Sequence, residues 1–122
     1  MESFSAEEQL LFGLGYCGFM VILFVVLKKY PPKKINHWYG YRTHRSMSNT
    51  TIWKAANQFA AQWALRLSLY SLIVPIVCYF LFPSNNFLIS ILVNTLAVVA
   101  IIPLTENYLN KHFDKNGNPK AT

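Results

Sequence analysis

The sequence has 122 residues, of which 53% are hydrophobic and only 13% are charged. A soluble domain of this size could not bury so much apolar surface, so the composition predicts a membrane protein formed by a single domain over residues 1–122. The formal net charge of +6 could indicate nucleic-acid binding, but the basic residues lie beside long apolar runs, and membrane topology explains them better.

The first predicted span covers residues 9–27, an uncharged segment with about the twenty residues that a helix needs to cross a bilayer. Glu2, Glu7 and Glu8 precede it, and the run KKYPP at residues 28–32 follows it. A cleaved signal peptide has the opposite charge pattern, so we expect a permanent transmembrane helix. The two prolines should end this helix because neither can donate a backbone hydrogen bond.

A polar stretch over residues 33–49 alternates basic and aromatic side chains and predicts a loop at the membrane surface. Ser48 or Asn49 can cap a second helix that starts near residue 50 and crosses the membrane over about residues 61–82. Pro75 should kink this helix, because it leaves the carbonyl of Ser71 without its usual donor.

Residues 83–86 predict a tight turn, and the third span should follow over residues 87–104, with Pro103 marking its end. The segment from about residue 111 onward is charged and rich in turn-forming residues, which predicts a disordered tail. The predicted fold is an all-α integral membrane protein with three transmembrane helices.

The distribution of Lys and Arg predicts the orientation of these helices. All eleven lie in the first loop, the start of the second helix or the C-terminal tail, and none lies in the N-terminal segment or the turn at residues 83–86. By the positive-inside rule, the N-terminus and this turn are outside, and the basic loop and the tail are cytoplasmic.

The second helix carries small residues at a spacing of four, which places them on one face. Such a ladder lets helices approach closely in a membrane, and we expect it against the first or third helix or a second copy of the protein. Alternatively, alanine is present here only as a common helix former. The ladder consists of Ala56, Ala60, Ala64 and Ser68.

On the same helix, Gln58, Gln62 and Arg66 form a polar stripe that must face water, protein or lipid headgroups. Arg66 should lie near the inner edge of the hydrocarbon. Counting along the helical hairpin places it about one turn from Glu106, which predicts an ion pair, although the two charges could also be independent and interfacial.

The sequence predicts no catalytic, cofactor or metal site. Its three histidines have no mutual spacing typical of metal ligands, and the two cysteines fall inside apolar runs, where a thiol behaves as a small hydrophobic group. No catalytic motif is recognisable, so we expect a protein that is not an enzyme.

Residues 35–57 contain a pattern that resembles the motif of the SdpI family, membrane proteins named for an immunity protein against a secreted peptide toxin. The resembling residues are Asn36, Gly40, Arg42, Thr43, Ser46, Asn49, Trp53 and Asn57. This resemblance implies a three-helix unit in the bacterial cytoplasmic (inner) membrane. It also implies immunity against a membrane-active peptide toxin, or signalling by drawing a cytoplasmic regulator to the membrane.

The motif also has a physical interpretation. Gly40 permits a backbone turn closed to other residues, Arg42 offers a forked donor, and Asn49 caps the helix that Trp53 anchors at the membrane interface. Three roles for the loop remain open: an architectural element, a docking surface for a protein or peptide, and a site for a lipid headgroup.

Two further hypotheses compete with immunity or signalling. The small-residue ladder and the lack of a catalytic set also fit a small accessory or scaffold subunit of a larger membrane complex, or a homo-oligomer. A transporter or channel would need more polar residues at mid-membrane than Asn94 and Thr95, unless several copies surround a pore.

Overall fold

The computed structural model describes residues 4–120 and is helical. Glu2 and the last two residues of the predicted tail lie outside this range. Three helical segments are long and apolar enough to cross a membrane: Ala6–Lys29, Thr50–Leu81 and Pro83–His112. The predicted class, an all-α protein with three membrane-spanning helices, is confirmed at this level. The elements in chain order are α1 (Ala6–Lys29), α2 (Thr50–Ser71), α3 (Ile73–Leu81), a 3-10 turn (Pro83–Asn85) and α4 (Asn86–His112).

Helix α1 has clear start and stop signals. The Ser5 side chain accepts a hydrogen bond from the Glu8 backbone N–H at 3.1 Å, which satisfies one of the free donors of the first turn. The last bond of the helix joins the Tyr30 N–H to the Val26 carbonyl. Pro31 then ends the helix, because it has no N–H with which to continue the ladder.

Helices α2 and α3 form one span with an interruption between them. Asn49 caps α2 by accepting from the Ile52 N–H at 2.8 Å. The helix is interrupted at Leu72, three residues before Pro75. Pro75 cannot donate to the Ser71 carbonyl, and its ring crowds that carbonyl, so the regular helix breaks one turn before the proline.

Helix α4 continues past the predicted end of the third span. The sequence predicts a span that ends near residue 104, whereas the helix runs through Pro103 to His112. Pro103 removes only the hydrogen bond to the Val99 carbonyl. Thr105 and Leu109, two and six residues after the proline, are fully buried against the bundle. Their packing keeps the second part of the helix in place, and the proline signal alone was misleading.

The C-terminal segment also differs from the predicted disordered tail. Residues 113–120 form a turn in which the Asp114 N–H donates to the Asn118 carbonyl and the Lys120 N–H donates to the His112 carbonyl, both at 2.9 Å. Arg45 donates to the carbonyls of Phe113 and Asp114 at 2.9 and 3.1 Å. Composition could not reveal the two Arg45 bonds, because that side chain is remote in sequence.

The interior of the bundle combines small, polar and a few large apolar residues, whereas its outer surface consists mainly of large apolar residues. Phe24 on α1 and Ile101 on α4 bury the small residues of α2, while Leu109 packs against Ile52 and Ala56. The outer surface is apolar, with exposed fractions of 67% at Leu11, 76% at Phe80 and 69% at Leu96. This arrangement suits a bundle whose solvent is lipid.

The predicted ladder lies at the centre of this packing. Ala56, Ala60, Ala64 and Ser68 are all buried, between 0 and 6% exposed. The cluster of buried residues around Ala60 and Ala64 includes contributions from both α1 and α4. Of the neighbours considered from the sequence, the described residues place the first and third spans, rather than a second copy, against this face.

Candidate functional site

The motif loop (residues 30–49) lies at one end of the bundle, where α1 ends and α2 begins. We call this the motif end, and the opposite end, with the start of α1 and the Pro83–Asn85 turn, the turn end. The C-terminal segment packs on the loop through Arg45 and through Asn49, which donates to the Asn116 carbonyl at 3.4 Å. The motif residues are therefore gathered in one region of the protein.

Asn57 fastens the loop to helix α2. Its side-chain oxygen accepts from the Tyr41 N–H at 2.5 Å, and its side-chain nitrogen donates to the Tyr41 carbonyl at 3.3 Å and to the Trp53 carbonyl at 2.9 Å. Asn57 is only 4% exposed. The Asn57 amide thus binds both backbone groups of Tyr41. Its oxygen and its nitrogen both have hydrogen-bond partners.

Gly40 occupies a backbone conformation and a space that favour glycine. Its φ angle is +105°, in the region that L side chains rarely adopt. A Cβ atom there would lie 2.5 Å from the Asn57 side-chain oxygen and 2.7 Å from Pro32 Cγ. Both the conformation and the close approach of α2 therefore require a residue without a side chain.

Trp53 has a different role from the interfacial anchor that the sequence suggested. The side chain is fully buried, and its Nε1 donates to the Pro32 carbonyl at 2.8 Å. The bond joins the start of α2 to the segment that follows α1. A tryptophan at a helix start is typical of an interface anchor, but here the folded loop covers the ring.

Two further pairs of bonds fix the shape of the loop. Thr43 and Ser46 each accept from the other's backbone N–H, at 3.1 and 2.8 Å. Asn36 accepts from the N–H groups of Trp38 and Tyr39 at 2.8 and 2.9 Å, which closes a local turn. The side chains of these motif residues therefore bind backbone N–H groups within the loop itself. Ser46 is fully buried there.

Glu106 binds the motif loop and not Arg66. The Tyr41 hydroxyl donates to its carboxylate at 2.7 Å, and the Thr43 hydroxyl donates at 3.3 Å. Arg66 is exposed and stacks over the ring of Trp63, 5.2 Å from its centre. The predicted Arg66–Glu106 pair is therefore absent from residues 4–120. Counting along a hairpin gives the depth of a residue but not the direction in which it leaves the helix.

Tyr41 is a site residue that sequence reasoning did not single out. Burial, and then the hydrogen bond to Glu106 and the charge of that carboxylate, raise the pKa of the Tyr41 phenol above its ordinary value. The hydroxyl therefore stays protonated and donates to Glu106, linking the loop to α4. In the sequence, Tyr41 is marked only by its position between Gly40 and Arg42. A tyrosine in a surface loop does not by itself indicate a functional residue.

Arg42 differs from the other motif residues because its side chain is exposed. Its Nη1 donates to the His37 carbonyl, the one hydrogen bond that its guanidinium makes within the described residues. A guanidinium has five N–H donors, so this bond orients the group and leaves donors for a further partner.

Two cavities adjoin the loop. The first has a volume of about 490 Å³ and is lined by Lys28, Lys33 and Lys54 together with Gln58 and Gln62. The predicted polar stripe of α2 thus faces this cavity with two of its three members. The second cavity, about 270 Å³, is mainly apolar and shares Leu27, Pro32, Asn57 and Ala61 with the first.

Asn94 and Thr95, the two polar residues that the sequence places at mid-membrane, have different environments. Asn94 is buried and donates to the Ser71 hydroxyl at 2.8 Å, which joins α4 to α2. Thr95 is exposed on the outer surface. Within residues 4–120, no group of three or more His, Cys, Asp or Glu side chains is arranged to hold a metal ion.

Comparison with known proteins gives a consistent result. The model of the SdpI/YfhL protein family matches residues 33–105, which include the motif, the second span and most of the third. The chain is also 38% identical over 109 residues to the uncharacterized protein YfhL of Bacillus subtilis (strain 168), and the alignment covers 89% of this chain and 96% of the relative. No solved structure matches the chain.

Proposed function

Because the chain belongs to the SdpI/YfhL protein family, we propose that it is a non-enzymatic, multi-pass protein of the bacterial cytoplasmic membrane that gives immunity against a membrane-active peptide toxin. In this proposal the motif loop is the recognition surface, and Arg42 makes the decisive contact. The remaining motif residues shape the loop that presents Arg42.

The observation that carries this proposal is the contrast between Arg42 and the rest of the motif. The other motif residues are engaged within the fold by hydrogen bonds, a helix cap or a positive φ angle: Asn36, Gly40, Thr43, Ser46, Asn49, Trp53 and Asn57. Arg42 alone among the eight is exposed while also oriented by a backbone carbonyl. Recognition residues are commonly displayed in this way, on a loop held by a rigid scaffold.

The guanidinium suggests what the loop recognises. A fork of parallel N–H donors fits a carboxylate or a set of backbone carbonyls better than an ammonium group does. A peptide offers both, at its C-terminus and wherever its backbone is not hydrogen-bonded. The proposed target is thus a peptide segment that reaches the motif end of the bundle.

Signalling through a cytoplasmic partner is the second candidate. The positive-inside rule assigns the motif loop to the cytoplasmic side, where a soluble regulator would reach Arg42 directly. A toxin would reach the same residue only after entering the membrane. Both functions use the same surface and differ in the side from which the target arrives.

An accessory or scaffold subunit is less well supported. That hypothesis depended partly on the small-residue ladder as a contact face for another protein. Ala56, Ala60, Ala64 and Ser68 are buried within this chain by its own helices, so the ladder is not free for such a contact.

The test compares Arg42→Lys with the wild type in cells challenged with the toxin or carrying the tagged regulator. We expect the variant to reach the membrane in normal amounts but to lose most of its protection or partner recruitment, because lysine keeps the charge without the fork. Lys34→Ala, at another exposed cation of the loop, is the matched control and should change little. Full activity of Arg42→Lys would refute the docking role, and its disappearance from the membrane would show that Arg42 is architectural.

A further inference from the structure

The larger cavity at the motif end concentrates positive charge. Lys28 comes from the last turn of α1, Lys33 from the motif loop and Lys54 from the second turn of α2, so three separate segments each supply an ammonium group. None of the ten residues that line the cavity within the described part of the chain is acidic. All three lysines are exposed, and their like charges favour an anion over a cation at this surface.

The acidic side chains of residues 4–120 lie elsewhere. Glu7 and Glu8 are in the first turn of α1, at the turn end. Glu106 accepts hydrogen bonds from Tyr41, and Asp114 accepts from backbone N–H groups in its own turn. The cavity lysines thus have no carboxylate committed to them within the described chain, and a negatively charged occupant would complement them.

The depth of the cavity indicates what kind of anion this is. Lys28 and Lys54 lie where α1 ends and α2 begins, the level expected for lipid headgroups. Gln58 and Gln62 continue along α2 into the span, with Gln62 about 12 Å beyond Lys54 along the axis. Amide groups at that depth need a polar partner, and Leu27 and Ala61 beside them offer apolar surface.

We propose that this cavity binds the headgroup of an anionic phospholipid. The phosphate lies among the ammonium groups of Lys28, Lys33 and Lys54, and the ester and glycerol oxygens accept from the amides of Gln58 and Gln62. The start of an acyl chain packs on Leu27 and Ala61. Basic pockets between transmembrane helices are suited to such headgroups, and the cavity is separate from the exposed Arg42 contact.

The test measures binding of fluorescent phosphatidylglycerol and phosphatidylcholine to the purified full chain in a neutral detergent. We expect the wild type to prefer phosphatidylglycerol by about tenfold or more. The triple variant Lys28→Gln/Lys33→Gln/Lys54→Gln should lose this preference. Lys29→Gln/Lys34→Gln/Lys111→Gln removes the same charge from exposed positions outside the cavity and should retain it.

A second variant and a competitor make the outcome specific. Replacing the three cavity lysines by arginine should preserve the preference, because the charges remain, and millimolar inorganic phosphate should not displace the lipid. The proposal is overturned if the wild type binds both lipids equally, if the control triple loses the preference as well, or if the arginine variant does. Displacement by inorganic phosphate would instead identify a site for the free anion.

Discussion

Gly40 shows how a single position in the motif controls the shape of the loop. Its positive φ angle and the proximity of Asn57 and Pro32 leave no room for a Cβ atom. We expect Gly40→Ala to destabilise the protein by at least about 2 kcal/mol, since strain and a steric clash combine. Gly15→Ala is the matched control, because a Cβ there meets no atom within 4 Å. Thermal unfolding in detergent should separate the two variants, and equal stabilities would contradict the role of Gly40.

Tyr41 provides a pH-dependent test of the link between the loop and α4. We expect Tyr41→Phe to lower stability by about 1–2 kcal/mol at neutral pH, because the Glu106 carboxylate loses its hydroxyl donor. The folded state raises the pKa of this phenol above its ordinary value of 10.0. The hydroxyl's contribution to the free energy of unfolding is therefore complete below pH 10.0. It declines as the pH rises above 10.0, because the phenol then ionises in the unfolded state before it does so in the folded state. The stability difference between wild type and Tyr41→Phe should shrink in unfolding experiments above that pH, and a widening difference would contradict the assignment.

At the scale of single residues, the sequence predicted those roles that depend on local geometry. The glycine turn at Gly40 and the cap at Asn49 follow from backbone rules that act within a few residues. The pairing of Trp53 with Pro32 and of Glu106 with Tyr41 could not be predicted in this way, because the tertiary fold brings these residues together. Arg45 was missed for the same reason, since its acceptors are about seventy positions later in the chain.

At the scale of elements, the three spans were predictable because lipid imposes a minimum apolar length that leaves a clear signal. The end of α4 could not be predicted from the sequence. Pro103 is a strong local stop signal, but the buried residues beyond it contact the loop and α2, and tertiary packing decided the outcome.

The second half of α4 should therefore be important for stability. We expect Leu109→Ala to cost about 2–5 kcal/mol, because Leu109 is fully buried between Ile52 and Ala56 and alanine would leave a cavity. Leu104→Ala, at a position that is 39% exposed on the same helix, should cost less than about 1 kcal/mol. Thermal unfolding of both variants in detergent makes the comparison. Equal effects would mean that the helix beyond Pro103 does not pack as described.

For the whole molecule, the fold places the motif loop, the C-terminal segment and the lysine-lined cavity at one end and the Pro83–Asn85 turn at the other. Signalling through a cytoplasmic partner requires that the motif end face the cytoplasm. Charge asymmetry predicts that the motif end is inside, since Lys and Arg are absent from the turn. This orientation follows from a sequence rule and can be measured directly.

The decisive measurement is labelling of single cysteines on intact cells with an impermeant thiol reagent. The background would lack Cys17 and Cys78, both buried, and would carry one new cysteine at Asn85, Lys34 or Asn116, each exposed. We predict that Asn85→Cys labels on intact cells, whereas Lys34→Cys and Asn116→Cys label only after the membrane is permeabilised. Labelling of Lys34→Cys or Asn116→Cys on intact cells would contradict a cytoplasmic motif loop.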